Sequence, residues 1–180
     1  MNYDKIVVID VEATCWRGPP PSGQRNQIIE VGVTLLDTKA WACSDKKSIL
    51  VKPSNSSVSD FCTELTGITQ QMLDEDGVSF KKACDILAAE YNSPKRVWAS
   101  YGDYDRSIFR RNCDDEKVRY PFGKQHLNVK LLFGLKEQLP SGIGMANALA
   151  LIKMPLEGQH HRGHDDAWNT AKLLAHCFRK

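Results

Sequence analysis

The chain has 180 residues, 42% of them hydrophobic, enough for one sizeable core and short for more than one domain. A formal net charge of +2 gives no basic field over the whole surface, so any polyanion has to be gripped locally. The apolar part of MNYDKIVVID is too short for a signal peptide and no run reaches membrane length. Six cysteines without a CxxC pair argue against a zinc site or disulfide framework, so reduced, mostly buried thiols in a cytoplasmic protein are expected.

Ile6 to Ile9 form a β-branched run that reads as a buried strand, ending in Asp10 and Glu12. Strand side chains alternate, so these two carboxylates share one face and repel each other. They are either a strand end running into solvent or a pair that holds something positive. No Lys or Arg lies within DVEATCW. RGPPPSGQRN then marks a loop, QIIEVGVTLLD a second strand in a hairpin-like return, and KSILVKP a third strand stopped by Pro53. SDFCTELTG suits a short helix closed by glycine, and SFKKACDILAAEY a longer one behind Ser79 as N-cap. RVWAS reads as a strand that leads through Gly102 into a helix at DYDRSIFRR. GMANALALIKM gives another helix ended by Pro155, and DDAWNTAKLLAHCFR the last. Three leading strands followed by helices and strands in alternation indicate an α/β fold, a mixed central sheet flanked by helices.

Two adjacent aspartates open the last helix, and its period separates them. From Asp166, steps of three or four reach Thr170, Leu173 and Cys177, an inward row; from Asp165 they reach Asn169, Lys172 and His176, a polar row. Asp166 is therefore the expected inward acid, and Asp165 a surface acid complementing the helix dipole. In DYDRSIFRR, Asp103 is the better N-cap, which leaves Asp105 free to act beyond the strand end.

Asp10, Glu12, Asp105 and Asp166 form an all-oxygen ligand set suited to Mg²⁺ or Mn²⁺ rather than zinc. Two such ions can activate a water and stabilise a phosphodiester leaving oxygen. His160, His161 and His164 are each able to serve as base, and spacing alone does not choose among them. The i,i+4 spacing of His160 and His164 lacks the matching glutamate and the helix of a zinc site. Arg106, Arg110, Arg111, Lys95, Arg96 and Arg162 are local basic candidates, each equally readable as solvated surface.

The order of these motifs resembles the DEDDh family of 3′-5′ exonucleases, the DnaQ and RNase T superfamily on a ribonuclease H-like fold. Its strand D-x-E, middle aspartate and late H-x(4)-D are matched by Asp10 with Glu12, Asp105, and His161 with Asp166. DVEATCW, SDFCTELTGIT, YGDYDRSIF and HHRGHDDAWNTA look like its Eri-type branch, which includes histone-mRNA 3′ exonucleases and KapD-like bacterial proteins. The resemblance implies a single exonuclease domain over residues 1–180, with no room for the SAP nucleic-acid-binding domain of some animal relatives. It implies two metal ions on Asp10, Glu12, Asp105 and Asp166, with Glu12 and His161 catalytic and His161 deprotonating the attacking water. The product would be nucleoside 5′-monophosphates from single-stranded RNA or RNA 3′ overhangs, with DNA a second candidate substrate.

The resemblance also points to Phe61, Leu65 and Tyr104 against the terminal nucleotides, and to backbone groups of Ala13 and Thr14 against the terminal ribose. Stacking on such flat side chains is how single strands are held. Phe61 and Leu65 are equally readable as ordinary core at i,i+4 spacing. Against this RNA exonuclease stand a DNA 3′ exonuclease and a nucleic-acid-binding module without turnover.

Overall fold

The structure, a computed structural model, describes residues 1–179. Strand β1 (Asn2–Ala13) is followed by β2 (Ile28–Asp37), β3 (Cys43–Lys52), helix α1 (Asp60–Thr66), α2 (Gln70–Asp76), the two-residue strand β4 (Val78–Ser79) and α3 (Phe80–Glu90). Then come β5 (Arg96–Ser100), α4 (Tyr104–Glu116), β6 (His126–Asn128), α5 (Val129–Lys136), α6 (Met145–Leu151) and α7 (Gly163–Phe178). The sheet order is β4-β3-β2-β1-β5-β6. The β1–β2–β3 pairings are antiparallel, while β5 and β6 add in parallel beside β1, so the sheet is mixed as expected.

Helices cover both faces of β1, which is why its apolar run has no polar alternation. Val7, Ile9 and Val11 pack with Phe80, Leu87, Ile108 and Phe109 of α3 and α4. Ile6 and Val8 point the other way, into Val129, Phe133, Leu149, Leu173 and Leu174 of α5, α6 and α7. The even-numbered face therefore continues from core into Asp10 and Glu12, beneath the start of α7. The strand does not run out into solvent: Glu12 is buried and Asp10 partly so.

The caps of α1 and α3 match the sequence reading, and that of α4 does not. The Ser59 and Ser79 side chains accept from Cys62 and Lys82 N–H, and Gly67 closes α1 in the left-handed region at φ 72°. Asp103 precedes α4, but its carboxylate accepts from Asn128 Nδ2 at 2.9 Å and pairs with Arg106 at 3.0 Å instead of capping. Helices α2 and α5 and strands β4 and β6 lie outside the sequence expectations. α2 is only seven residues long; α5 buries Val129 and Phe133 while exposing Leu131 and Leu135, so its apolar residues ring the helix and hide the period. All six cysteines are free; Cys62, Cys84 and Cys113 are buried, the others partly exposed. Among the described residues no helix is long and apolar enough to cross a membrane.

Candidate active site

The site forms where the end of β1 meets the first turns of α4 and α7. One ligand oxygen each from Asp10, Glu12 and Asp166 lie within 4.8 Å of one another. Asp105 stands behind them, buried, its Oδ1 accepting the Val11 N–H at 3.0 Å. Those four acids, drawn from residues 10 to 166, are the ones singled out from the sequence.

Their electrostatics show a cluster short of positive charge. Burial, then Asp105, Glu12 and Asp166, push the Asp10 carboxyl well above the usual carboxylate range. Burial and the charges of Asp166 and Glu30 push Glu12 up to about 9. Burial takes Asp105 to about 6 against the lowering effect of the Val11 N–H and Ser100, and also raises Asp166. An all-oxygen carboxylate set that cannot ionise fully by itself fits a hard divalent cation, which would neutralise it.

The histidine segment is bound to these acids through Asp166. Its carboxylate accepts the His161 backbone N–H at 2.9 Å and lies 3.0 Å from His160 Nδ1. His161 adopts φ 67°, and burial and its neighbour His160 lower its imidazole pKa. His160, His161 and Asp166 also lie within 4.8 Å of one another, and the two rings stack at 4.0 Å and 20°. His164 turns to Glu30, at 3.0 Å.

Asp165 departs from expectation. It is not a surface acid: it is buried, its carboxylate accepts the Gln159 N–H at 2.7 Å, and it pairs with Lys46. Its row on α7 is polar because it faces a loop rather than water. Asn169, also buried, binds both the N–H and the C=O of Glu157. Nothing in the helical period distinguishes a polar row facing solvent from one facing backbone.

Phe61 and Leu65 do not belong to the core; α1 buries Cys62 and Thr66, leaving Phe61 half-buried and Leu65 exposed, with the Arg17 guanidinium 5.3 Å over the Phe61 ring. Tyr104 is 57% exposed, one residue from Asp105. Ala13 and Thr14 are buried beside them, and the Thr14 N–H is already donated to Gln27 C=O at 2.9 Å. The basic candidates are largely engaged elsewhere: Arg96 with Asp4, Arg106 with Asp103, Arg111 with Asn26 C=O, Arg162 with Glu30, and Arg110 over Tyr120.

Glu30 was missed in the sequence. It sits opposite Glu12 on β2, fully buried. In QIIEVGV it looks like one polar residue in an alternating strand, and no local signal separates it from that.

Comparison with known proteins agrees with this geometry. The exonuclease family profile RNase_T matches residues 7–174. Human 3′-5′ exoribonuclease 1 is 33% identical over 186 residues, covering 98% of this chain and 53% of that protein, so the chain spans about half the length of this relative. The nuclease domain of 3′hExo, a DEDDh family member bound to rAMP, superposes with a TM-score of 0.84 at 32% identity, over 97% of this chain and 91% of that one. A 3′-exonuclease structure showing 3′-end-specific recognition of histone mRNA stem-loop also gives 0.84 at 32% identity, over 97% of this chain and 63% of that one. With the profile spanning nearly the whole chain, on a mixed sheet that gathers Asp10, Glu12, Asp105 and Asp166 beside His161, this protein belongs to the RNase_T exonuclease family, in its DEDDh group.

Proposed function

We propose that the protein is a divalent-metal-dependent 3′-5′ exoribonuclease that releases nucleoside 5′-monophosphates from RNA 3′ ends. The observation that carries this reading is the convergence of Asp10, Glu12 and Asp166 within 4.8 Å, with Asp105 behind them. Two Mg²⁺ or Mn²⁺ ions held by these carboxylates would supply activation of the attacking water and neutralisation of the phosphate charge. His161, whose imidazole pKa is lowered by burial and by His160, would take the proton of the attacking water. Half-buried Phe61 and exposed Leu65 and Tyr104 offer flat and apolar surfaces on which terminal bases would stack. Ala13 and Thr14 shape the wall at the terminal ribose; Thr14, with its N–H committed, acts there by shape. The six free thiols fit a reducing compartment such as the cytoplasm.

The test is a time course on 5′-labelled RNA and DNA of one sequence, with Mg²⁺, Mn²⁺ or chelator. RNA shortening from its 3′ end only with metal is the expected result. Preferential shortening of DNA would reassign the substrate, and binding without shortening of either strand would overturn catalysis.

A further inference from the structure

Glu30 has a carboxylate with no exposed surface, in a site already crowded with acids, and none of the proposed chemistry uses it. Its oxygens are fully taken. Oε1 accepts from Ser48 Oγ at 2.6 Å and His164 Nδ1 at 3.0 Å; Oε2 accepts from Gly163 N–H at 2.9 Å and Arg162 Nε at 3.3 Å. Two oxygens offer about four acceptor positions, so none remains for a metal ion. Burial pushes the Glu30 carboxyl up, but Ser48, His164, the Gly163 N–H and Arg162 together hold it below its ordinary value.

Three of the four donors lie in one short segment, Arg162 to His164, where α7 begins. The N-cap residue of α7, Arg162, makes no side-chain cap, so the buried N–H of Gly163 at the start of the helix is satisfied from β2 instead. A carboxylate there also complements the positive end of the helix. Beside it the two backbones touch: a Cβ on Gly32 would lie 1.8 Å from the Gly163 carbonyl carbon, and one on Gly163 would lie 2.9 Å from Gly32 N. Gly32 is the cross-strand partner of Asp10, and Glu30 that of Glu12. The start of α7 is therefore referenced directly to the two β1 acids, and the same segment carries His161 on one side and Asp166 on the other.

We infer that Glu30 is a positioning residue: a cap supplied by β2 that sets the distance of His161 and Asp166 from Asp10 and Glu12. This rests on the exonuclease reading above. Glu30→Gln places an amide N–H₂ against at least two donors and releases the Arg162–His164 segment. Misplacement of a catalytic group by about 1 Å costs about a hundredfold in rate. The loss falls on kcat, with KM for RNA changed less than about threefold, because the base-stacking surfaces lie on α1 and α4.

The experiment is a double-substitution cycle on kcat with Glu30→Gln, His161→Asn and both, alongside Mn²⁺ binding to each free protein by electron paramagnetic resonance. At saturating Mn²⁺, which holds Asp166 in place, Glu30→Gln lowers kcat about a hundredfold in the wild-type background and less than about fivefold in the His161→Asn background, because the other positioned group, His161, is already gone. Losses that multiply would overturn the inference. Mn²⁺ affinity falls about tenfold with Glu30→Gln as Asp166 shifts, and unchanged affinity would overturn it equally. His164→Ala removes one donor while leaving the carboxylate charge in place, and covers the case in which Glu30→Gln does not fold. It should move kcat and Mn²⁺ affinity in the same direction by a few fold, whereas a purely electrostatic role of Glu30 predicts no change. If wild-type protein leaves RNA intact, the exonuclease reading falls, while the Mn²⁺ arm still decides the positioning role.

Discussion

Glu12 and Glu30 face each other across β1 and β2, one residue type at one depth in one sheet, and they are driven in opposite directions. Glu12 is pushed up to about 9; Glu30 is held below its ordinary value. Burial penalises both, so the difference lies in donors. Glu30 has four, while around Glu12 only the charge of Arg162 works against its acid neighbours. The same division runs through the whole site. Asp10, Asp105 and Asp166 are raised, and Asp165, with Lys46 and the Gln159 N–H, is lowered despite its burial. Acids whose donors outweigh burial are lowered; those in which burial and neighbouring acids dominate are raised, and these are the ones the proposed reading gives to a cation.

The sharpest way to break this division is Asp10→Asn. It should reduce RNA turnover by about 10³-fold or more while raising the melting temperature of the metal-free protein, since one charge leaves a repulsive cluster. Retained turnover, or a destabilised metal-free fold, would place Asp10 among the structural acids. His161→Asn should cost about 10² to 10³-fold in kcat and remove the rise of rate with pH through the lowered imidazole pKa, measured at saturating metal. His160→Asn should cost far less, and equal losses would move the base to His160.

Asp165→Asn tests the other class. It weakens the Lys46 pair and the bond to Gln159 N–H, and should lower stability by about 1 to 3 kcal/mol in chemical denaturation. The helical period alone predicts a near-neutral surface change, so a loss below about 0.5 kcal/mol would restore that view.

The two classes should also differ in how stability follows pH. Between the ordinary 4.5 of Glu12 and its folded value of about 9, the folded metal-free protein keeps a proton that the unfolded chain has lost, so stability from this group falls as pH rises. Glu30 and Asp165 have the reverse sign: their contribution is present above their unfolded pKa values and is lost as pH falls through the folded ones. Melts in chelator should therefore decline from about pH 6 to about pH 8.5, and added Mg²⁺ should stabilise more at the higher pH, where fewer protons must leave. A flat profile in chelator would count against a frustrated cluster. The smallest effect is expected at Tyr104→Ala, about tenfold in KM for RNA with kcat nearly unchanged, from the loss of one stacking surface.

Much of this was legible along the chain. The β-branched run of β1, the serine caps of α1 and α3 and the placement of Asp105 after β5 are local signals, and each survives folding. The helical period singles out Asp166, which lies with Asp10 and Glu12, but it does not show that Asp165 and Asn169 turn toward the 157–160 backbone and not toward water. Glu30 was illegible for the same cause. Its meaning comes from a segment more than 130 residues away, and no pattern within β2 records that partner. Helix α5 was lost to its exposed Leu131 and Leu135, which blur a period that Val129 and Phe133 alone would have shown.

The first strand supplies two of the acids and the last helix supplies the fourth, laid across β1 and β2 with its first residue against Gly32. During synthesis the hairpins of β1, β2 and β3 emerge early, and α7 emerges last. A ribosome-bound chain therefore holds Asp10 and Glu12 long before it holds Asp166. The acid cluster therefore closes only when α7 docks against β1 and β2, and a chain with α7 peeled away would keep two of the acids and lose the cluster.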